Sequence, residues 1–242
     1  MDKILNFQLS LFGSFINIKP NNDITMRLIA NLQEDCFLPG TVDIAVVDTD
    51  SKKINSESRL QMVSQDKFWN IVFLQERIDL NYNYVGGSIC FTEFNTIFEY
   101  ARGILEKVFN VFPDTTGNRL AVNGKILLPE MTSEERFSFM NRFSKPLKLY
   151  GDAPITEWNL RLNAHSSMGI AEGINEMCNS IIEIGDCFGY ENGSPTQRIL
   201  LSLDTNTIPE NRDLRFTYKN LLYFSNDAEK WMTKALAEIE ED

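Results

Sequence analysis

From Leu5 onward the chain alternates: Leu5, Phe7, Leu9, Leu11 and Phe15 are apolar, and Asn6, Gln8, Ser10 and Ser14 lie between them. A period of two predicts a strand with one buried face. After Pro20, Asp23 is placed to cap a short helix whose apolar residues Ile24, Leu28 and Leu32 recur every four positions, ending before a turn at Pro39-Gly40. Four strand-like runs follow, Val42 to Val47, Leu60 to Val63, Trp69 to Leu74 and Ile78 to Tyr84. The last alternates Ile78, Leu80, Tyr82 and Tyr84 with Arg77, Asp79, Asn81 and Asn83, and Gly86-Gly87 closes the block. Phe94, Ile97, Phe98, Ala101, Ile104, Leu105 and Val108 then form one helical stripe.

The same order returns after the loop Pro113 to Asn118. Leu120, Val122, Ile126 and Leu128 mark a strand. Thr132 and Glu135 have capping-box spacing, ahead of a helix carrying Phe137, Met140 and Phe143. Strands are expected at Trp158 to Ser166, around Cys178 to Cys187, and at Arg198 to Asp204. In the first of these, Trp158, Leu160, Leu162 and Ala164 alternate with Asn159, Arg161, Asn163 and His165. Ala228, Trp231, Met232, Ala235, Leu236 and Ile239 line a final helix. The expected fold class is therefore α+β, built of internally duplicated β-α-β(3-4)-α units with antiparallel sheets and helices packed on one face. Residues 1–116 form the first repeat (β-α-β4-α) and residues 117–242 the second (β-α-β3-α), the two making one compact unit.

A β-α-β(4)-α unit used twice resembles the TATA-box-binding-protein fold, a saddle with helices on its back, and the likeness spans the whole chain in topology alone. The chain is also similar to sporadically distributed prokaryotic proteins of about this length, through its N-terminal strand and the segment Ile199-Leu200-Leu201-Ser202-Leu203-Asp204 ahead of a C-terminal helix. That second resemblance implies no particular activity. By analogy, its sporadic occurrence implies a subunit of a prokaryotic defence or toxin-antitoxin-like system.

Charge argues against carrying over the DNA-binding role of the saddle proteins. The 242 residues hold 34 acids against 23 Lys and Arg, a formal net charge of −11. No basic cluster interrupts this acidity, so the surface repels phosphate backbones and nucleic acid is not an expected partner. The four cysteines, Cys36, Cys90, Cys178 and Cys187, form no C-x-x-C pair, and one histidine cannot complete a zinc set. We therefore expect no metal and no cofactor, and the scattered thiols point to a reducing cytoplasm. The N-terminal apolar stretch reads as a strand and not as a signal peptide, and no run of eighteen apolar residues suggests membrane insertion.

Candidate chemistry is sparse. His165 is the only histidine, and no G-x-S-x-G accompanies it, so no catalytic residue is assigned. Asp48-Thr49-Asp50 has the spacing of a metal-binding triplet but sits in an aspartate-rich turn. Gly86-Gly87-Ser88 and the glycines from Gly185 to Gly193 match no phosphate-binding frame. What remains is the polar side of the alternating strands, Asn6, Gln8 and Ser10 on the first, Arg77, Asp79, Asn81 and Asn83 on another, and Asn159, Arg161, Asn163 and His165 in the second half, with Arg77, Asn81, Asn83, Asn159, Arg161, Asn163 and His165 as the candidate binding residues. Amides there donate and accept hydrogen bonds without charge. The expectation is a non-enzymatic cytoplasmic interaction module that binds another protein. The alternative is a small-molecule or nucleotide site, with or without hydrolysis, in a cleft between the repeats where Asn81, Arg161, Asn163 and His165 converge.

Overall fold

A computed structural model describes residues 3–47, 54–86, 90–145, 148–150, 153, 155–191 and 194–241. The element order is β1 (Lys3–Gly13), α1 (Asn22–Leu32), β2 (Phe37–Val47), β3 (Ile54–Ser64), β4 (Trp69–Phe73), β5 (Arg77–Asn83) and α2 (Phe94–Val111). It continues with β6 (Thr116–Leu127), α3 (Ser133–Phe143), a 3-10 turn (Lys148–Tyr150), β7 (Asn159–Ala171), β8 (Ile174–Glu191), β9 (Ser194–Thr207), β10 (Phe216–Thr217) and α4 (Tyr218–Glu240). The protein is α+β, with one ten-stranded sheet whose pairings among the described residues are all antiparallel. The strands run β2-β3-β4-β5-β1-β6-β9-β8-β7 across it, and β10 adds a short pairing to β6.

β1 lies at the centre because both of its edges are used, by β5 over Asn6–Phe12 and by β6 over Lys3–Gly13. Its apolar alternation puts Phe7, Leu9 and Leu11 into the core. The alternation does not extend to Leu5: a register shift between Ile4 and Asn6 buries Ile4 instead and leaves Leu5 half-buried. Phe7 is fully buried and meets Phe98 of α2 edge to face, with ring centroids 4.8 Å apart at 77°, and Trp69 of β4 at 6.4 Å. Buried residues of the strands and of all four helices belong to one continuous cluster. α1 packs on α2, α2 on α4, and α4 on β7.

Several boundaries differ from the expected ones. Pro39-Gly40 is not a turn but lies inside β2, which tolerates proline because it is an edge strand with one unpaired side. The cap of α1 is Asn21, whose side chain accepts the Ile24 N–H at 2.9 Å; Asp23 falls in the first turn. The capping box at Thr132 and Glu135 is present. α3 buries Phe139 and Met140 and leaves Phe137 exposed, so its core-facing stripe is turned relative to the expected Phe137-Met140-Phe143. α4 begins ten residues ahead of Ala228, at Tyr218, and buries Leu221 and Phe224 as well. The Asp48-Thr49-Asp50 triplet, Gly87-Ser88 and Gly193 lie outside the described residues.

One buried charge ties the end of β1 to the outer strands. Arg59 of β3 is wholly inaccessible; its Nε donates to the Phe73 carbonyl at 3.0 Å, its Nη2 to the Phe15 carbonyl at 2.8 Å, and its Nη1 pairs with Glu57 at 3.2 Å. A buried guanidinium needs such partners to offset its lost hydration. No helix among the described residues is long and apolar enough to cross a membrane.

Phe7→Ala removes the ring at the junction of β1, β4 and α2, and we expect a loss of about 3–5 kcal/mol. Urea unfolding followed by circular dichroism reads it as a lower midpoint at unchanged slope.

Candidate functional site

The side of the sheet opposite the buried alternation is built from polar residues in register. Val63 faces Asn70, Asn70 faces Asn81, Asn81 faces Gln8, Gln8 faces Asn123, Asn123 faces Asp204, Asp204 faces Ile181, and Ile181 faces Asn163. Directly opposed residues point to the same face, so five consecutive strands contribute Asn70, Asn81, Gln8, Asn123 and Asp204 to one transverse row. Asn81 Nδ2 donates to Asn70 Oδ1, and Asn123 Nδ2 donates to Gln8 Oε1, both at 2.8 Å. All five side chains are half-buried.

A second row runs two residues away through Asp79, Ser10, Ala121, Asn206, Asn179 and His165. Asp79 is buried; it accepts from Ser10 Oγ at 2.7 Å and pairs with Arg77 Nε at 2.7 Å. Burial pushes the Asp79 carboxyl above its ordinary value, and the Ser10 hydroxyl and Arg77 guanidinium only partly counter that. Asn206, also buried, accepts from Arg119 Nη2 at 2.9 Å and from Asn179 Nδ2 at 3.2 Å, and donates to Asp204 at 2.9 Å. Beyond this row Phe12 lies between Arg77 and Arg119, whose guanidinium carbons are 5.8 and 5.0 Å from the ring centroid. On the other side Asn83, Asn6, Lys125, Ser202, Glu183 and Arg161 make a further row, with Asn6 Nδ2 donating to Asn83 Oδ1 at 2.8 Å.

The residues anticipated from sequence all fall on this face, but in two separate places. Arg77, Asn81 and Asn83 of β5 sit near its middle. Asn159, Arg161, Asn163 and His165 belong to β7, the last strand, and are all exposed. Five strand spacings separate β5 from β7, about 24 Å at the usual inter-strand distance. Asn81 and Asn163 therefore share a row without meeting, and the sheet is continuous where a cleft was the alternative. On β7, Asn159 Nδ2 donates to Glu183 at 3.1 Å, and Arg161 lies 4.0 Å from the same carboxylate. Sequence reasoning left Asn70, Asn123, Asp204 and Asn206 out of the site. Asn123 and Asp204 alternate with core residues as clearly as Asn81 does, and that alternation was the available signal.

Little here favours covalent chemistry. Among the described residues no group of three His, Cys, Asp or Glu could hold a metal ion. All four thiols are free; burial pushes Cys90 and Cys187 up and Cys178 up to about 12, away from the reactive thiolate. Depressions of about 510 Å³ near Phe15, Arg27 and Phe112, and of about 530 Å³ beside Phe188 and Pro195, lie apart from the amide rows. No family model, curated protein or solved structure matches the chain.

The raised Asp79 carboxyl carries a definite sign. The folded protein holds this proton more tightly than the unfolded chain, so the Asp79 contribution to stability declines as pH rises from 3.8 through its raised folded value. In Asp79→Asn, whose side chain still accepts from Ser10, that decline is absent. Urea midpoints across the acidic range should show the variant gaining on the wild type as pH increases and a constant difference above the window. Parallel curves throughout would contradict this assignment.

Proposed function

We propose that the chain binds a partner protein through the open amide face of its sheet, as a non-enzymatic module. The observation that carries this reading is the transverse row Asn70-Asn81-Gln8-Asn123-Asp204. Each of its four amides has two donor hydrogens and two acceptor lone pairs, and the bonds from Asn81 to Asn70 and from Asn123 to Gln8 use only part of that capacity. Partly satisfied polar groups spread over several strands suit the backbone and side chains of another protein. A small ligand would instead favour a concave, mostly apolar pocket.

The reading includes two architectural inferences. The first is that residues 1–116 and 117–242 are copies of one β-α-β(n)-α unit, joined β1 to β6 into a saddle of the kind TATA-box-binding proteins form. The strand order supports it, since on either side of the β1-β6 pair the meander runs inward from the outer edge to a strand beside the innermost one. The second is that the helices share one side of the sheet. Their buried residues and those of the apolar strand alternation form a single cluster, and this supports it.

Charge favours protein over nucleic acid. On the face Arg77 pairs with Asp79 at 2.7 Å and Arg161 lies 4.0 Å from Glu183, and Asp204 stands in the central row, where a phosphate would meet it, in a chain of net charge −11.

The test is affinity purification of the tagged chain from its native host at low salt, with the 260/280 absorbance ratio and mass spectrometry of what is retained. We expect a stoichiometric protein and no nucleotide. Asn81→Ala with Asn123→Ala removes two amides from the row at roughly 0.5–1.5 kcal/mol each, and the complex should weaken about tenfold. Unchanged affinity in a folded double variant, or a retained nucleotide or metabolite in place of a protein, would reject the proposal.

A further inference from the structure

The two edges of the sheet are unlike. β2, at one edge, contains Pro39 and Asp43, features that keep a foreign strand from pairing. β7, at the other, reads Asn-Leu-Arg-Leu-Asn-Ala-His-Ser-Ser-Met-Gly-Ile-Ala, without proline, lysine or any acid. Its register shift lies only at the far end, between Gly169 and Ala171. Arg161 to His165 are exposed in unbroken succession, so side chains of both faces are open there. They include Leu162, 55% exposed although it points to the side that carries the core. Four strands lie outside β1 and β5 included, whereas only three lie outside β6.

We propose that β7 pairs antiparallel with β7 of a second copy of this chain, with Asn163 on the twofold axis. This inference is independent of the amide-face reading. Three observations choose a second copy as the occupant. The exposure of β7 is symmetric about Asn163: Leu162 and Ala164 are exposed, Arg161 and His165 exposed, Leu160 and Ser166 half-buried, Asn159 and Ser167 exposed. Pairing centred there covers the open stretch completely and sets Leu162 against Ala164 of the partner subunit.

The second observation is charge. In a chain of net charge −11, β7 is a place where two copies meet without opposing carboxylates, and this register sets Arg161 against His165 of the partner subunit, not against its own image. The third is hydrogen-bond phase. The Asp186 N–H donates to the Trp158 carbonyl at 3.1 Å, and Asn159 lies opposite Gly185, so even-numbered residues of β7 bond inward to β8. Asn159, Arg161, Asn163, His165 and Ser167 then turn their N–H and C=O groups outward. A twofold axis at Asn163 lets the two copies of that residue exchange both bonds.

Sedimentation equilibrium of the full chain across the micromolar range should give twice 27.8 kDa. Leu162→Lys places a charge on an already exposed site and should return the mass to that of one chain with unchanged circular dichroism. In Asn163→Cys the two thiols would sit on opposed residues about 5.5 Å apart at Cα, within disulfide reach, so oxidation should trap a covalent dimer. Ser167→Cys faces Asn159 of the partner subunit and should cross-link no more than the wild type with its four native thiols. The cross-link decides the matter if Leu162→Lys does not fold. A single-chain mass at every concentration overturns the proposal. So does a dimer that Asn163→Cys fails to trap, or a monomer whose β7 amides gain hydrogen-exchange protection only from a strand of a different protein.

Discussion

Everything on the sheet depends on the antiparallel pairing of β1 with β6. It joins the part of the chain before α2 to the part after it, sets Gln8 opposite Asn123, and makes one sheet of what the sequence order divides into two. Had β1 and β6 not met, each would expose an unpaired edge, the arrangement that invites aggregation. With the pair formed, Phe7, Leu9 and Leu11 face the same core as Leu120, Val122 and Ile126, and the polar alternates on the reverse side fall into line.

The polar side is more ordered than a merely solvated surface requires. Ser10, Asp79 and Asn206 are buried there, each hydrogen-bonded to a neighbouring strand, and the guanidiniums of Arg77 and Arg119 cover Phe12. These side-chain links fix cross-strand neighbours as specifically as the backbone ladder does. A face held in one arrangement loses less conformational freedom when something docks on it, which is the physical advantage of order before binding.

How much of this was legible follows from what periodicity can encode. The alternations of β1, β5 and β7 and the capping box at Thr132 are local, and each is visible in a few consecutive residues. Pro39-Gly40 misleads because proline marks a turn only where both sides of a strand must be paired, and β2 has a free side. The early start of α4 is obscured by Ser225 and Asn226, turn-forming residues that here sit in mid-helix; Ser225 satisfies its hydroxyl on the Leu222 carbonyl at 2.7 Å. The separation of Arg77 and Asn81 from Arg161 and Asn163 could not be read at all. Alternation says which side of a strand is polar, whereas adjacency is decided by the order in which strands pair across the sheet, and that order depends on contacts between residues far apart in the chain.

The central position of β1 also has a kinetic meaning. It is synthesised well before its neighbours: Asn83 lies 77 residues beyond Asn6, and Asn123 lies 115 residues beyond Gln8. At translation rates of about 5–20 residues per second, the strand carrying Phe7, Leu9 and Leu11 waits on the order of ten seconds for its second partner. During that interval the central ribbon of the fold has no complete sheet to join. Until β6 is made, Phe7, Leu9 and Leu11 stay open to other apolar surfaces, so the order of synthesis itself sets a window for misassociation.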